Sequence, residues 1–168
     1  MKLLSIVRHA KAERPDAYAT DHARPLTKRG RADSRLVAKM LTKIAPAPDY
    51  VVSSTAARTQ ETVEEIVKTM GYQGPTIWSD ALYLATAAEL LRTVSETPSE
   101  SQHVIICGHN PGMEELAVGL CTGGEHHVHL RMSTACCAHL QLEIVQWSQV
   151  RWGCGELALL APPKVLRI

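Results

Sequence analysis

The chain contains no Phe, and only three Trp and four Tyr among 168 residues. Aromatics this sparse exclude a platform on which nucleic-acid bases stack. No apolar run approaches the roughly 18 residues that a membrane span requires. The first run, Leu3 to Val7, is too short for the core of an export signal and leads straight into Arg8 and His9. Excess charge of one sign is missing too: 18 Lys and Arg stand against 17 Asp and Glu, a net charge of +1. A chain built to coat nucleic acid or an anionic membrane would be far more basic. There is no CxxC pair, no internal repeat and no low-complexity segment. The five Cys, an odd number, read as reduced thiols of a cytoplasmic protein.

What is present fits one domain spanning residues 1–168, and 45% hydrophobic residues are enough for one packed core. Lys2 to Val7 reads as a strand, and residues 10–26 as a polar loop. Thr27 is placed to cap a helix whose apolar positions are Ala32, Leu36, Val37, Met40, Leu41 and Ile44. Ala45-Pro46-Ala47-Pro48 stops it. Asp49 to Ser54 is a second strand, and a helix over 55–70 closes at Gly71. Thr76 to Trp78 is a short strand, and Ala85 to Ser95 a helix with Ala88, Leu91 and Val94 on one face. His103 to Cys107 is a strand, and residues 113–121 begin a helix. Ala135 to Val145 and Glu156 to Leu160 are two more strands, joined as a hairpin. Trp147 and Trp152 bracket its tip, where packing is their default role. The alternation predicts a three-layer α/β/α sandwich with a mostly parallel sheet, and the last two strands predict an antiparallel edge pairing.

In an open α/β sheet, ligands bind beyond the carboxyl ends of the strands. One strand here ends in Arg8-His9. A second ends in Ser53-Ser54, with Arg58 a helical turn later. The fourth ends in Gly108-His109-Asn110. Two Arg and two His therefore converge on one edge. Guanidinium forks bond two phosphate oxygens together, and a neutral imidazole can carry a phosphoryl group covalently. Gly108 would let the backbone pass close to a phosphate, and residues 110–112 would open a helix whose first N–H groups favour anions.

These residues also sit in familiar motifs. Arg8-His9-Ala10 resembles the RHG/RHA signature of the histidine phosphatase superfamily. Residues 53–62 (SSTAARTQET) resemble its second motif, and Gly108 to Gly112 its GHNPG motif. Residues 21–30 (DHARPLTKRG) and 158–166 (ALLAPPKVL) are similar to segments of the compact SixA-type phosphohistidine phosphatases. The resemblance implies that His9 is the phosphorylated nucleophile, that Arg8 and Arg58 hold phosphoryl oxygens, and that His109 stabilises the transition state. It implies neither metal nor cofactor. Thr55 stands where the family usually has Pro, and Ala10 where Gly is commoner.

Larger relatives carry an acidic proton donor after the second motif. Asp80, Glu89 and Glu13 are the candidates here. A sugar phosphate leaves as an alkoxide and needs a proton, help worth about 10²–10⁴-fold. A phosphohistidine leaves as imidazole, whose conjugate acid has a pKa near ~6.5 and needs less help. The expected substrate is therefore a phosphohistidine-bearing signalling or phosphocarrier protein. A small phosphate ester (a sugar phosphate or nucleotide) and a non-catalytic phosphoprotein-binding module are the alternatives. Lys11, Arg24 and Asn110 are candidate substrate-binding residues. Lys11 and Arg24 would form a rim facing an acidic surface, unless Glu13 and Asp21 pair with them. A monomer is expected, with nucleic acid and membrane absent as partners. The run Glu125-His126-His127-Val128-His129 reads as a solvated or partner-facing loop rather than a metal site. Cys136 and Cys137 should point to opposite faces of one strand.

Overall fold

The computed structural model describes residues 1–123 and 128–167. The Glu125-His126-His127 part of the His run lies outside the described residues. β1 (Lys2–Arg8), β2 (Tyr50–Ser54), β3 (Thr76–Ser79), β4 (His103–Gly108), β5 (Cys137–Leu142) and β6 (Gly155–Ala161) form one sheet in the order β3-β2-β4-β1-β5-β6. β1, β2, β3 and β4 pair in parallel; β5 runs antiparallel to both β1 and β6. The helices are α1 (Lys28–Ile44), α2 (Ala57–Met70), α3 (Ala87–Ser95) and α4 (Gly112–Thr122). Among the described residues, no helix is long and apolar enough to cross a membrane.

The period of two along the strands builds the three layers. Leu4, Ile6, Val52, Val104 and Ile106 pack under α3 and α4. Their neighbours Val7, Val51, Ile105 and Cys107 pack under α1 and α2. Each fully buried Leu, Ile or Val contributes about 1.5–3 kcal/mol. Cys136 and Cys137 fall in opposite layers, as alternation requires. All five thiols are free, and Cys121 alone is only half-buried. Trp147 is fully buried and donates its indole N–H to Ser101 O at 2.7 Å.

Capping follows the local sequence. Thr27 accepts from the Gly30 N–H, and Gly71 ends α2 in the left-handed conformation. Two predicted helix faces are rotated. In α1 the buried positions are Gly30, Asp33, Ser34, Val37, Ala38 and Leu41, while Ile44 is exposed. Arg167 reaches back to Asp33 with hydrogen bonds of 2.8–3.1 Å, which lets a carboxylate turn inward. In α3 the Thr86 capping box starts the helix one turn before Leu90 and Val94, which take the core, and Ala88 is exposed. β5 is shorter than the predicted strand, because Ala135 adopts a φ of 58° that ends the extended run.

A polar cluster lies inside the α1/α2 layer. Ser5 Oγ meets His103 Nε2 at 2.8 Å and His139 Nδ1 at 2.9 Å, and His103 Nδ1 donates to Pro46 O. Burial, and then the neighbouring His103, pull His139 down to about 4; burial lowers His103 as well. The unfolded chain, with imidazoles near ~6.5, therefore binds protons that the folded chain refuses. Stability is lost as pH falls below about 6.5. His139 alone should remove about 2 kcal/mol between pH 7 and pH 5. Urea unfolding at the two pH values measures this, and a His139→Gln variant should show a visibly shallower dependence.

Candidate active site

β1 delivers Arg8 and His9. The backbone around His9 is fixed on both sides: its N–H donates to Gly108 O, and its C=O accepts from Ala135 N, both at 3.0 Å. The imidazole is 8% exposed, and Nδ1 lies 2.8 Å from Ala10 O. A carbonyl only accepts, so Nδ1 carries the proton. Burial, assisted by the cations of Arg58 and Arg8, lowers His9 to about 4. The ring is therefore neutral at pH 7, with its lone pair on Nε2.

β4 delivers His109, whose ring centroid is 5.3 Å from that of His9. Its Nε2 is 3.0 Å from Ser54 Oγ at the end of β2, and its Nδ1 faces Arg58 at 3.3 Å. Arg58 only donates, so Nδ1 is the acceptor and Nε2 the donor. Burial, then Arg58 and His9, push His109 down to about 3.

Arg58 belongs to the first turn of α2 and is 3% exposed. Its fork donates to Asp21 O at 2.7 Å and to Asp21 Oδ2 at 2.9 Å. Arg8 donates to Met132 O at 2.8 Å. Among the described residues, Arg8 Nε and Arg58 Nε are buried donors without a partner. Each such group costs about 1–3 kcal/mol. An anion accepting from both would recover that cost. Arg8, His9, Arg58 and His109, predicted to converge, are thus brought together.

The other predicted residues divide. Arg24 is mostly buried and close enough to His9 to lower its pKa, with Nε 3.2 Å from Asp21 Oδ1. Lys11 is exposed, and its backbone C=O accepts from Thr27. Lys11 lines a cleft with Arg29 and Asp33, and none of Arg8, His9, Arg58 and His109 lines it. Asn110 is committed to structure: Nδ2 donates to Glu114 Oε1 at 2.7 Å and to Met132 O at 3.0 Å. Its remaining Oδ1 is an acceptor and would repel an anion. Gly108 needs no left-handed backbone; a Cβ there would meet the Met113 methyl at 2.4 Å. The first turn of α4 carries Glu114 and Glu115, so its N-terminus already faces acids.

Of the proposed donors, Glu89 caps α3 through Thr86, and this capping lowers its pKa. Asp80 accepts from Thr55 Oγ1, which also lies 3.0 Å from His22 Nε2. Glu13 donates its backbone N–H to Pro25 O. Among the described residues, no cluster of three or more His, Cys, Asp or Glu has metal-binding geometry.

Sequence reasoning gave Tyr83 no role. Its hydroxyl donates to Asp21 Oδ2 at 2.7 Å, and its ring stands edge-on to His109 at 5.3 Å. The Tyr83 hydroxyl and the Arg58 guanidinium together hold the Asp21 carboxyl below the usual carboxylate range. Asp21 is thereby an anchor that aims Arg58. Asp21→Asn keeps the shape but loses the charge-assisted bond, so kcat/KM on an aryl phosphate should fall about tenfold, as steady-state assays would measure.

The family model of the histidine phosphatase superfamily (branch 1) matches residues 4–82, which contain His9 and Arg58. A structure from Nakamurella multipartitia described as a phosphohistidine phosphatase SixA superposes with a TM-score of 0.84, at 28% identity and 96% coverage of both chains. The chain belongs to the histidine phosphatase superfamily. A SixA structure from Agrobacterium tumefaciens is 25% identical with a TM-score of 0.81, covering 96% of this chain and 98% of that one. An uncharacterized protein of Mycobacterium tuberculosis is 30% identical over 164 residues, 94% of this chain and all of its own. Membership in the superfamily supports phosphatase activity. His109 lies outside the matched residues of the family model and enters this histidine phosphatase site through the pairing of β1 with β4.

Proposed function

We propose that the chain is a metal-independent phosphatase that works through a phospho-His9 intermediate, on phosphohistidine carried by a protein. The observation that carries the reading is His9 itself: neutral, with its Nδ1–H spent on Ala10 O, which leaves the lone pair on Nε2, and with Arg58 and Arg8 near enough to lower its pKa. Nε2 attacks phosphorus, and the bond from phosphorus to the departing imidazole breaks. The departing ring takes a proton from solvent on its other nitrogen and leaves neutral. Arg8 and Arg58 neutralise the phosphoryl oxygens, with Arg24 adding positive charge at the rim. His109 stays neutral: its Nδ1 goes on accepting from Arg58, and its Nε2–H, which faces Ser54 Oγ, is the donor it offers to a phosphoryl oxygen. Water next attacks phospho-His9, the phosphorus–nitrogen bond breaks, and phosphate departs. Asn110 serves by holding the Met132 carbonyl that Arg8 uses.

The test is phosphate release from a phosphohistidine carrier protein with EDTA present, beside an aryl phosphate and a sugar phosphate. Release from the carrier exceeding both esters supports the reading. Turnover of the esters with none from the carrier would keep the site and replace the substrate.

A further inference from the structure

A cleft of about 600 Å³ lies between α1, residues 133–134 and the turn at Pro163–Leu166. It is lined by Lys11, Arg29, Lys164 and Arg167, against Asp33 as the one acid among the described lining residues. That is four cations to one anion, in a chain whose net charge is only +1. Asp33 is spent on Arg167, through bonds of 2.8–3.1 Å. Arg29 and Lys164 are exposed, and Arg29 reaches Asp33 only at 3.8 Å.

Two residues of the cleft adjoin active-site segments along the chain. Lys11 stands two residues after His9, and Thr134 directly precedes Ala135, whose N–H holds the His9 carbonyl. A Cβ on Gly30 would come within 2.3 Å of Lys11 O, so α1 abuts this loop without slack.

We propose that this cleft docks an acidic segment of the partner protein while its phosphorylated side chain enters the site; this rests on the reading that the substrate is a protein. Charge complementarity selects the occupant. The free cations stand on an open rim rather than converging within a closed cavity, which suits carboxylates spread along a polypeptide. Rim charges of this kind govern encounter and register more than the chemical step.

The experiment compares wild type with an Arg29→Gln, Lys164→Glu double variant. Both side chains are exposed, and unchanged aryl phosphate kinetics report an intact fold and site. The first measurement is fluorescence anisotropy of a labelled hexaglutamate peptide at low salt. Wild type should bind it at least tenfold more tightly than the variant, and orthovanadate, a phosphate mimic for the catalytic site, should not displace it. Equal binding by both proteins, no binding by either, or displacement by vanadate overturns the proposal. The second measurement is KM for a phosphohistidine carrier, which should rise about tenfold in the variant with kcat held. Peptide binding with an unchanged carrier KM also overturns it. If wild type hydrolyses the aryl phosphate and ignores the carrier, the phosphohistidine reading fails by itself, and the peptide measurement still decides the cleft.

Discussion

Replacing His9 with Ala should lower phosphatase turnover by about 10⁴-fold or more, the scale seen when a nucleophile is removed from a site that otherwise still binds. The His9 imidazole is aimed by a fixed partner, the Ala10 carbonyl, which holds Nδ1–H and leaves the lone pair on Nε2. Alanine leaves the guanidinium groups in place, so the variant should still bind an inert phosphate mimic. Wild type quenched during turnover of a radiolabelled substrate should carry a label that survives alkali and is lost in acid, as a phosphorus–nitrogen bond is. The variant should carry none. Full activity in His9→Ala would remove the covalent mechanism. The pH dependence follows from the same burial. His9, lowered to about 4, stays a nucleophile well below neutral pH. Activity should therefore persist down to about pH 5 and fall as His9 protonates.

Replacing Arg58 should have the second largest effect. It is the buried cation that touches His109, Asp21 and the face of Tyr83, with its guanidinium carbon 5.9 Å from that ring's centroid. Its loss removes charge where the transition state gains it, an effect of about 10²–10³-fold for a single preorganised donor. Arg58→Ala should reach the upper end of that range. Arg58→Lys keeps the charge but cannot reproduce the two bonds to Asp21, so recovery should be partial, about tenfold. A lysine that restored full kcat/KM would show that charge suffices and that the fork does nothing. Asp21 lies on the polar loop after β1, and its backbone carbonyl also binds Arg58. The Asp21→Asn and Arg58→Lys effects should consequently be non-additive, since both damage the same pair.

Much of this was legible in the sequence because strand ends declare themselves. Apolar runs finishing in Arg8-His9, Ser53-Ser54 and Gly108-His109 place their polar groups on one sheet edge, and the parallel pairing of β1, β4 and β2 does the rest. Three features were beyond reach for physical reasons. Tyr83 follows a short turn after the outer strand β3, and nothing local announces that its hydroxyl meets Asp21, 62 residues away. Asp33 breaks the apolar face of α1, and hydrogen bonds from Arg167, 134 residues on, make its burial tolerable. Asn110 belongs to a motif associated with anion binding, yet its amide donors are spent on Glu114 and Met132. Pairings across such separations depend on how the layers close, which periodicity does not encode.

The ladder bonds on either side of His9 have a consequence for motion. Its amide hydrogen is held by Gly108 O, its carbonyl by Ala135, and β1 lies between two partner strands in the sheet interior. Such an amide exchanges with deuterated solvent only when most of the molecule opens, whereas loop amides exchange through local fraying. The proposed nucleophile should therefore fall among the slowest-exchanging residues of the chain, and Asp21 and Arg24, on the loop after β1, among the faster ones. On the proposed mechanism, catalytic alignment would divide accordingly: the attacking nitrogen would be as still as the sheet, and the arriving phosphoryl group would find its angle through the loop.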